Sequence, residues 1–222
     1  MQSFFAPSWF SLFDQRHLLL LDLNSNGLFF YLAKDVKELA AIDFASLSLL
    51  KQISSDRACR GNLLADEQFV KTTLSAQLKN FDLDHYALVF LLSPNSTQLE
   101  KKTLQSLAPF LVKNTVVDRH FFYNFYLMQK RNFSQVKFIV NLFSDCAELS
   151  LFDRDKLLDH QSVELRNLAV RSKDFFQSNK NKIAFPKPDC FYLFTNNLNT
   201  KVQAVDLAKY LKLEAIEIEN LC

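Results

Sequence analysis

Apolar residues along the chain fall into short runs separated by turn residues, and the first half begins with two such runs. Residues 17–23 and 28–33 have the continuous apolar pattern of buried strands, and Asn24-Ser25-Asn26-Gly27 between them is a turn sequence. The pair therefore predicts a β-hairpin. The other elements predicted for this half are strands at 39–44, 86–92 and 115–121 and helices at 66–81 and 97–112, whereas residues 45–65 fit no pattern.

The second half repeats this order of elements. Its predicted strands cover 136–142, 147–152, 161–165, 190–194 and 214–219, and its predicted helices cover 166–179 and 200–211. Aligning the first strands of the two halves places Asp22 on Asn141. Both halves read β-β-β-α-β-α-β, which predicts a duplicated α/β protein with mixed sheets covered by helices. The predicted units are an N-terminal aromatic segment at 1–16, a first lobe at 17–121, a connecting helix at 122–135 and a second lobe at 136–222.

Glycine is scarce, which limits the kinds of ligand site that the chain can contain. It occurs only twice in 222 residues, at Gly27 and Gly61. Loops that bind phosphate through backbone N–H groups need glycine, because a Cβ atom would keep the backbone away from the anion. The sequence contains neither a P-loop nor a GxGxxG turn, so these two modes of nucleotide binding are excluded.

Charge and cysteine content narrow the class of protein further. The formal net charge is +2 without a long run of like charge, which argues against a nucleic-acid partner. The four cysteines lie far apart without a CxxC pair, so neither a metal site nor a disulfide framework is predicted. No apolar run approaches the about 18 residues of a membrane span, and no basic leader precedes the first strand. These patterns predict a soluble, cytoplasmic protein.

The order and spacing of the elements from 17 to 220 resemble the actin-like ATPase superfamily. Its members include actin, heat-shock chaperone ATPase domains, sugar kinases and the bacterial proteins MreB, FtsA and PilM. The resemblance implies a duplicated two-lobe, ribonuclease H-like fold, here without large inserted subdomains. It also implies a nucleotide cleft between the lobes, with one phosphate loop on each first hairpin and an adenosine turn near the end of the chain. An ordinary α/β domain without duplication is the alternative.

Carried onto this sequence, the family's nucleotide cleft is degenerate. Asn141 replaces the acid of the second phosphate loop, both glycines of that loop are missing, and Phe143 fills the space that phosphates need. Magnesium requires one or two carboxylates beside the phosphates, and only Asp22 remains in place. We therefore predict no catalytic residues and no required cofactor, with weak ATP–magnesium binding left open. The residues assigned to this vestigial cleft are Asp22, Asn24, Asn141, Asp145 and Asn196.

Each of these residues also has a simpler interpretation. Asp22 fits an ordinary turn residue at the end of a strand, and the asparagines fit ordinary loop residues. The stretch Asp118-Arg119-His120 lies on a predicted strand and is interpreted as a solvated face or an ion pair between the lobes, rather than as a catalytic set.

The excess of aromatic residues suggests a surface that binds another protein. Phenylalanine occurs 23 times, and two clusters are candidates for an exposed patch, with burial in the core as the alternative for both. The clusters are Phe4, Phe5, Trp9 and Phe10, and Phe121, Phe122 and Tyr123.

The predicted function is a non-catalytic actin-like scaffold or adaptor in a pilus, secretion or cell-shape assembly. Its predicted partner is the cytoplasmic tail of an inner-membrane protein or a second copy of the chain. The alternative is a small nucleotide-binding enzyme of the same fold, either kinase-like or a subunit of a tRNA-modification complex.

Overall fold

A computed structural model describes most of the two predicted lobes. The described residues are 17–33, 47–60, 63–79, 81, 86–107, 114–129, 135–183, 188, 190–195 and 201–218. The aromatic segment at 1–16, the strand predicted at 39–44 and the predicted cleft residue Asn196 lie outside them. Within the described residues, no helix is long and apolar enough to cross a bilayer.

The first half of the chain forms a five-stranded mixed sheet. Its elements are β1 (His17–Asn24), β2 (Gly27–Ala33), β3 (Ser48–Ser54), a short pair β4 (Cys59–Arg60) and β5 (Leu63–Leu64), α1 (Glu67–Leu78), β6 (Tyr86–Leu92), α2 (Gln98–Leu107) and β7 (Asn114–Asp118). The strand order is β3-β2-β1-β6-β7. The pairs β1–β2 and β2–β3 are antiparallel, whereas β1, β6 and β7 run parallel.

The second half forms another five-stranded mixed sheet. Its elements are α3 (Arg119–Gln129), β8 (Val136–Leu142), β9 (Cys146–Asp153), β10 (Lys156–Glu164), α4 (Leu168–Ser178), β11 (Cys190–Thr195), α5 (Lys201–Leu211) and β12 (Glu214–Ile218). The strand order is β10-β9-β8-β11-β12. The pairs β8–β9 and β9–β10 are antiparallel, and β8, β11 and β12 run parallel. The two sheets therefore share one order and one set of directions, which confirms the predicted duplication. The residue limits assigned to the lobes stay predictions.

Three boundaries differ from the predicted elements. The third strand of the first sheet is β3, which lies in the stretch that fits no pattern, because an edge strand with exposed side chains has no apolar periodicity. In the second sheet β10 begins at Lys156 rather than at 161, because its half-buried residues 157–160, Leu-Leu-Asp-His, show no alternation of apolar and polar positions. Helix α3 begins at Arg119, so the strand predicted at 115–121 ends at Asp118.

The core has three layers. One face of the first sheet packs on α1 through residues such as Leu21, Phe30 and Leu74. One face of the second sheet packs on α4 and α5 through residues such as Phe138 and Phe175. The third layer combines residues of both sheets and α3, and we call it the junction. Because the central strands are buried on both faces, their sequences are mainly apolar.

Two residues of the predicted aromatic patch are part of the junction core. Phe122 and Tyr123 are 2% and 3% exposed, and the Tyr123 ring stacks on Phe194 with centroids 4.1 Å apart. Only Phe121 of this cluster is exposed, at 37%, and its ring lies edge-on to Phe152. The expectation of an exposed patch is therefore wrong for Phe122 and Tyr123, because α3 turns that face toward both sheets.

Candidate functional site

A fully buried guanidinium connects the two sheets at the junction. Arg119 is the first residue of α3, directly after β7. Its Nε donates to Asp22 Oδ1 at 2.8 Å, and its Nη1 donates to both carboxylate oxygens of Glu148 at 3.1 Å. Its Nη2 donates to the backbone carbonyl of Leu23. The side chains of Arg119, Asp22 and Glu148 are 0%, 1% and 2% exposed, and we call these three residues the Arg119 triad.

The triad brings together three separate elements. Asp22 lies near the carboxyl end of β1, and Arg119 follows the carboxyl end of β7. Because β1, β6 and β7 run parallel, both residues lie on the side of the first sheet where these strands end. Glu148 lies on β9, directly opposite Asn141 in the β8–β9 register. In the first sheet the position opposite Asp22 is Phe29. Aligning the two halves places Asn141 of β8 at the position of Asp22. The acid of the second sheet, Glu148, lies instead on the neighbouring strand β9.

Electrostatics within the triad favour a permanently charged arginine. Burial alone would lower the pKa of Arg119, but the Asp22 and Glu148 carboxylates outweigh it and raise that pKa above its usual range. The Phe143 ring lies 4.8 Å from Arg119 Cζ, which adds a cation–π contact. Burial, followed by the negative charge of Asp22, raises the pKa of the nearby Tyr123 hydroxyl well above its ordinary value. Tyr123 is therefore neutral, and two carboxylates share one guanidinium.

Both oxygens of the Asp22 carboxylate already accept hydrogen bonds. Oδ1 accepts from Arg119, and Oδ2 accepts from Asn24 Nδ2 at 3.1 Å. The Asn24 Oδ1 atom in turn accepts from the backbone N–H of Asn26 at 2.8 Å, which closes the turn after β1. Asp22 is thus held from two sides by groups of its own lobe and of α3.

The two hairpin turns that would form the phosphate loops touch each other. The backbone N–H of Ser144 donates to Asn26 Oδ1 at 2.7 Å, and Ser144 Oγ donates to the Ser25 carbonyl at 3.1 Å. A phosphate group between these turns would have to break both hydrogen bonds. The residues present at the junction therefore do not suit a magnesium–nucleotide complex.

The residues predicted to line the cleft differ in their burial. Asp22, Asn24 and Asn141 are buried at or beside the junction, whereas Asp145 is exposed at the second turn. Burial and then the Asp145 carboxylate raise the pKa of the adjacent Cys146 thiol, which stays protonated. No group of three or more His, Cys, Asp or Glu side chains within the described ranges could hold a metal ion.

Sequence reasoning did not select Arg119 or Glu148 as site residues. Glu148 carries a usable signal, because it is an acid within a strand whose neighbours are apolar, and buried acids are rare unless paired. For Arg119 the structure distinguishes between the two interpretations of the stretch 118–120: its guanidinium forms ion pairs between the lobes, and a solvated face is wrong.

A second polar contact joins the sheets beside α3. Asn95, after β6, donates from Nδ2 to Ser162 Oγ at 2.8 Å, and its Oδ1 lies 3.2 Å from His160 Nε2. The His160 ring stacks on His120 with centroids 5.6 Å apart. His120 is 4% exposed, and neither of its ring nitrogens has a hydrogen-bond partner among the described residues. Burial, with further effects of His160, Lys101 and Arg119, lowers the His120 pKa to about 3, so this imidazole is neutral at physiological pH.

Comparison with solved structures identifies the fold. A protein from Bacteroides thetaiotaomicron, described as having an actin-like ATPase fold and unknown function, superposes with a TM-score of 0.59 at 9% identity, over 96% of this chain and 94% of that one. The ethanolamine utilization protein EutJ from Carboxydothermus hydrogenoformans superposes with a TM-score of 0.59 at 8% identity, over 92% and 85% of the two chains. No protein-family model matches the sequence, and no curated protein matches it significantly. The chain has the actin-like ATPase fold, in its duplicated two-lobe form without large insertions.

Proposed function

We propose that this chain is a non-catalytic actin-fold scaffold that binds other proteins. The observation that carries the proposal is the position of Arg119, whose guanidinium lies between Asp22 and Glu148 at the lobe junction. In this interpretation the Arg119 guanidinium occupies the place where members of the fold family bind a metal ion and phosphates.

The energetic cost of admitting a nucleotide supports this proposal. Magnesium is bound through carboxylate oxygens, and those of Asp22 are engaged by Arg119 and Asn24. Breaking a buried ion pair leaves an uncompensated charge, at a cost of about 3–5 kcal/mol. A nucleotide would have to supply this energy without glycine-rich loops to hold it.

The proposed biological setting rests on the surfaces that are left for binding when the space between the lobes holds no nucleotide. Because ion pairs and hydrogen bonds occupy the junction, the outer surfaces of the two lobes are left to bind a partner protein. We propose a cytoplasmic role in a pilus, secretion or cell-shape assembly, with the tail of an inner-membrane protein as the partner. Support for this setting comes from the resemblance to PilM-like and MreB-like members.

Titration calorimetry with magnesium and ATP, together with a continuous phosphate-release assay, tests the proposal. We expect no binding heat and no release above background. Phosphate release that disappears in an Asp22→Asn variant, but persists in an Asp174→Asn control, would overturn the proposal. That result would favour the alternative, a small nucleotide-binding enzyme of the same fold. The control is matched because Asp174 is an exposed acid on α4, which packs on the face of the second sheet away from the junction.

A further inference from the structure

Strand β3 stands at one end of the strand order of the first sheet, as far as the described residues define it. Among the described residues it pairs only with β2, and no described residue hydrogen-bonds to the backbone of its outer side. Six of its seven side chains are exposed, including Leu49 at 39% and Leu50 at 43%. An extended edge of this kind is a template for pairing with another strand.

The register of β3 shows which part of the edge is regular. Lys51, Gln52, Ile53 and Ser54 pair in sequence with β2, and Leu50 is an extra residue between Leu49 and Lys51. Such a bulge interrupts the ladder locally and changes the direction of the side chains around it. The regular part therefore runs from Lys51 to Ser54, with two exposed leucines at its start.

The equivalent edge of the second sheet is protected against pairing. Strand β10 contains the charged residues Lys156, Asp159 and Glu164, and Asp159 accepts from Lys182 at 3.1 Å. Its His160 and Ser162 are in contact with Asn95 of the other lobe. Charged and covered edges are the usual devices that prevent unwanted strand pairing. Strand β3 has a bulge at Leu50 and one charged residue, Lys51, and therefore fewer charged residues than β10.

We propose that the β3 edge docks an extended peptide segment of a partner protein, which adds a further strand to the first sheet. This mode of recognition uses backbone hydrogen bonds for affinity and alternate side chains for specificity. Lys51 calls for an acidic residue in the peptide, and Leu49 and Leu50 call for apolar residues beside it. The inference rests on the proposed scaffold function and names its binding surface.

The charge of Lys51 argues against a second copy as the occupant. Lys51 is the central residue of Ser48–Ser54, so antiparallel pairing of two β3 strands about their centres places the two lysines opposite each other. Like charges in directly opposed positions destabilise a strand pair.

Selection of phage-displayed random peptides on the full chain tests the inference. We expect enrichment of β-prone peptides with an acidic residue between apolar ones. In fluorescence anisotropy, Lys51→Glu weakens the selected peptide about tenfold and shifts the preference toward peptides with lysine at that position. The matched control is Lys156→Glu, the same charge reversal on the edge of the second sheet, which leaves the affinity unchanged. Hydrogen exchange of β3 amides slows when the peptide is bound.

Three results would overturn the inference. These are the absence of enriched peptides, equal affinity of the selected peptide for the wild type and Lys51→Glu, and a β3-dependent dimer in sedimentation. Lys51 is exposed, so the melting temperature of Lys51→Glu should match that of the wild type and a folding defect can be separated from lost binding. A nucleotide heat in calorimetry would overturn the scaffold proposal, whereas peptide failure without such a heat rejects only the β3 site.

Discussion

Ser144 of the second hairpin turn donates its backbone N–H to Asn26 of the first at 2.7 Å, so the corresponding turns of the two lobes are in direct contact. The duplication brings equivalent hairpins face to face, and in this chain they bind each other. Together with the Arg119 triad, this contact makes the space between the lobes a structural interface.

Loss of the guanidinium should destabilise the whole fold. In Arg119→Met, the Asp22 and Glu148 carboxylates remain buried without a cation, and we expect a loss of about 3–5 kcal/mol in the free energy of unfolding. Urea denaturation measures this loss. The control is Arg166→Met, which removes an exposed ion pair with Glu164 and should cost less than about 1 kcal/mol. Equal effects of the two variants would mean that the triad does not support the junction.

The same triad predicts a compensating set of substitutions. Arg119→Met combined with Asp22→Asn and Glu148→Gln removes the guanidinium and both carboxylate charges. We expect this triple variant to be more stable than Arg119→Met alone, because uncompensated buried charge is the main cost. Urea denaturation of both variants under the same conditions makes the comparison. A triple variant less stable than Arg119→Met would show that packing, rather than charge, dominates at this site.

Loss of the contact between the two turns should lower the free energy of unfolding by a small but measurable amount. Asn26→Ala removes the acceptor for the Ser144 N–H, and we expect a loss of about 1 kcal/mol in the free energy of unfolding. Asn26→Asp retains an acceptor at the same position and serves as the control. If Asn26→Asp is destabilised as much as Asn26→Ala, the Oδ1 contact is not the cause.

Gly27 should tolerate no side chain. Its φ is +131°, and a Cβ atom there would lie 2.1 Å from the Ile53 carbonyl oxygen of β3. We expect Gly27→Ala to cost about 2 kcal/mol or more and to loosen the pairing of β2 with β3. Thermal melting and amide exchange of β3 report the two effects. Asp56→Ala, at an exposed turn position, should change stability by less than about 0.5 kcal/mol, and a similar change in Gly27→Ala would contradict the steric argument.

Acid should weaken the fold through His120. The ordinary histidine pKa of 6.5 falls to about 3 in the folded chain, so the unfolded state binds a proton first as the pH drops. The contribution of neutral His120 is therefore complete above pH 6.5 and is lost progressively as the pH falls from there toward 3. Between pH 6.5 and 5, we expect a loss of about 2 kcal/mol in the free energy of unfolding.

The control for this pH dependence is His120→Phe, which fills the same apolar site without a titratable group. Urea denaturation across this range should give a shallower slope for His120→Phe than for the wild type. Identical slopes would show that His120 does not titrate in this way.

The sequence by itself determined the order of the secondary-structure elements and their duplication. Strands such as β6 and β11 lie between two packed layers, so their residues form apolar runs that local pattern alone can identify. The exposed edge strand β3 has no such run, and the sequence pattern did not predict it. A strand that is buried on both faces has a recognisable apolar sequence, whereas an exposed edge strand does not.

Only the tertiary structure decided what the junction contains. Asp22 and Arg119 are 97 positions apart in the chain, and Arg119 and Glu148 are 29 apart, so no local pattern specifies their contact. The sequence showed that Asn141 lacks the family's acid, but the paired acid lies on the neighbouring strand, at Glu148. Phe122 and Tyr123 likewise became core residues only because α3 lies against both sheets. Charge pairing and burial across a lobe interface depend on how the two sheets meet, and this geometry is a property of the folded chain.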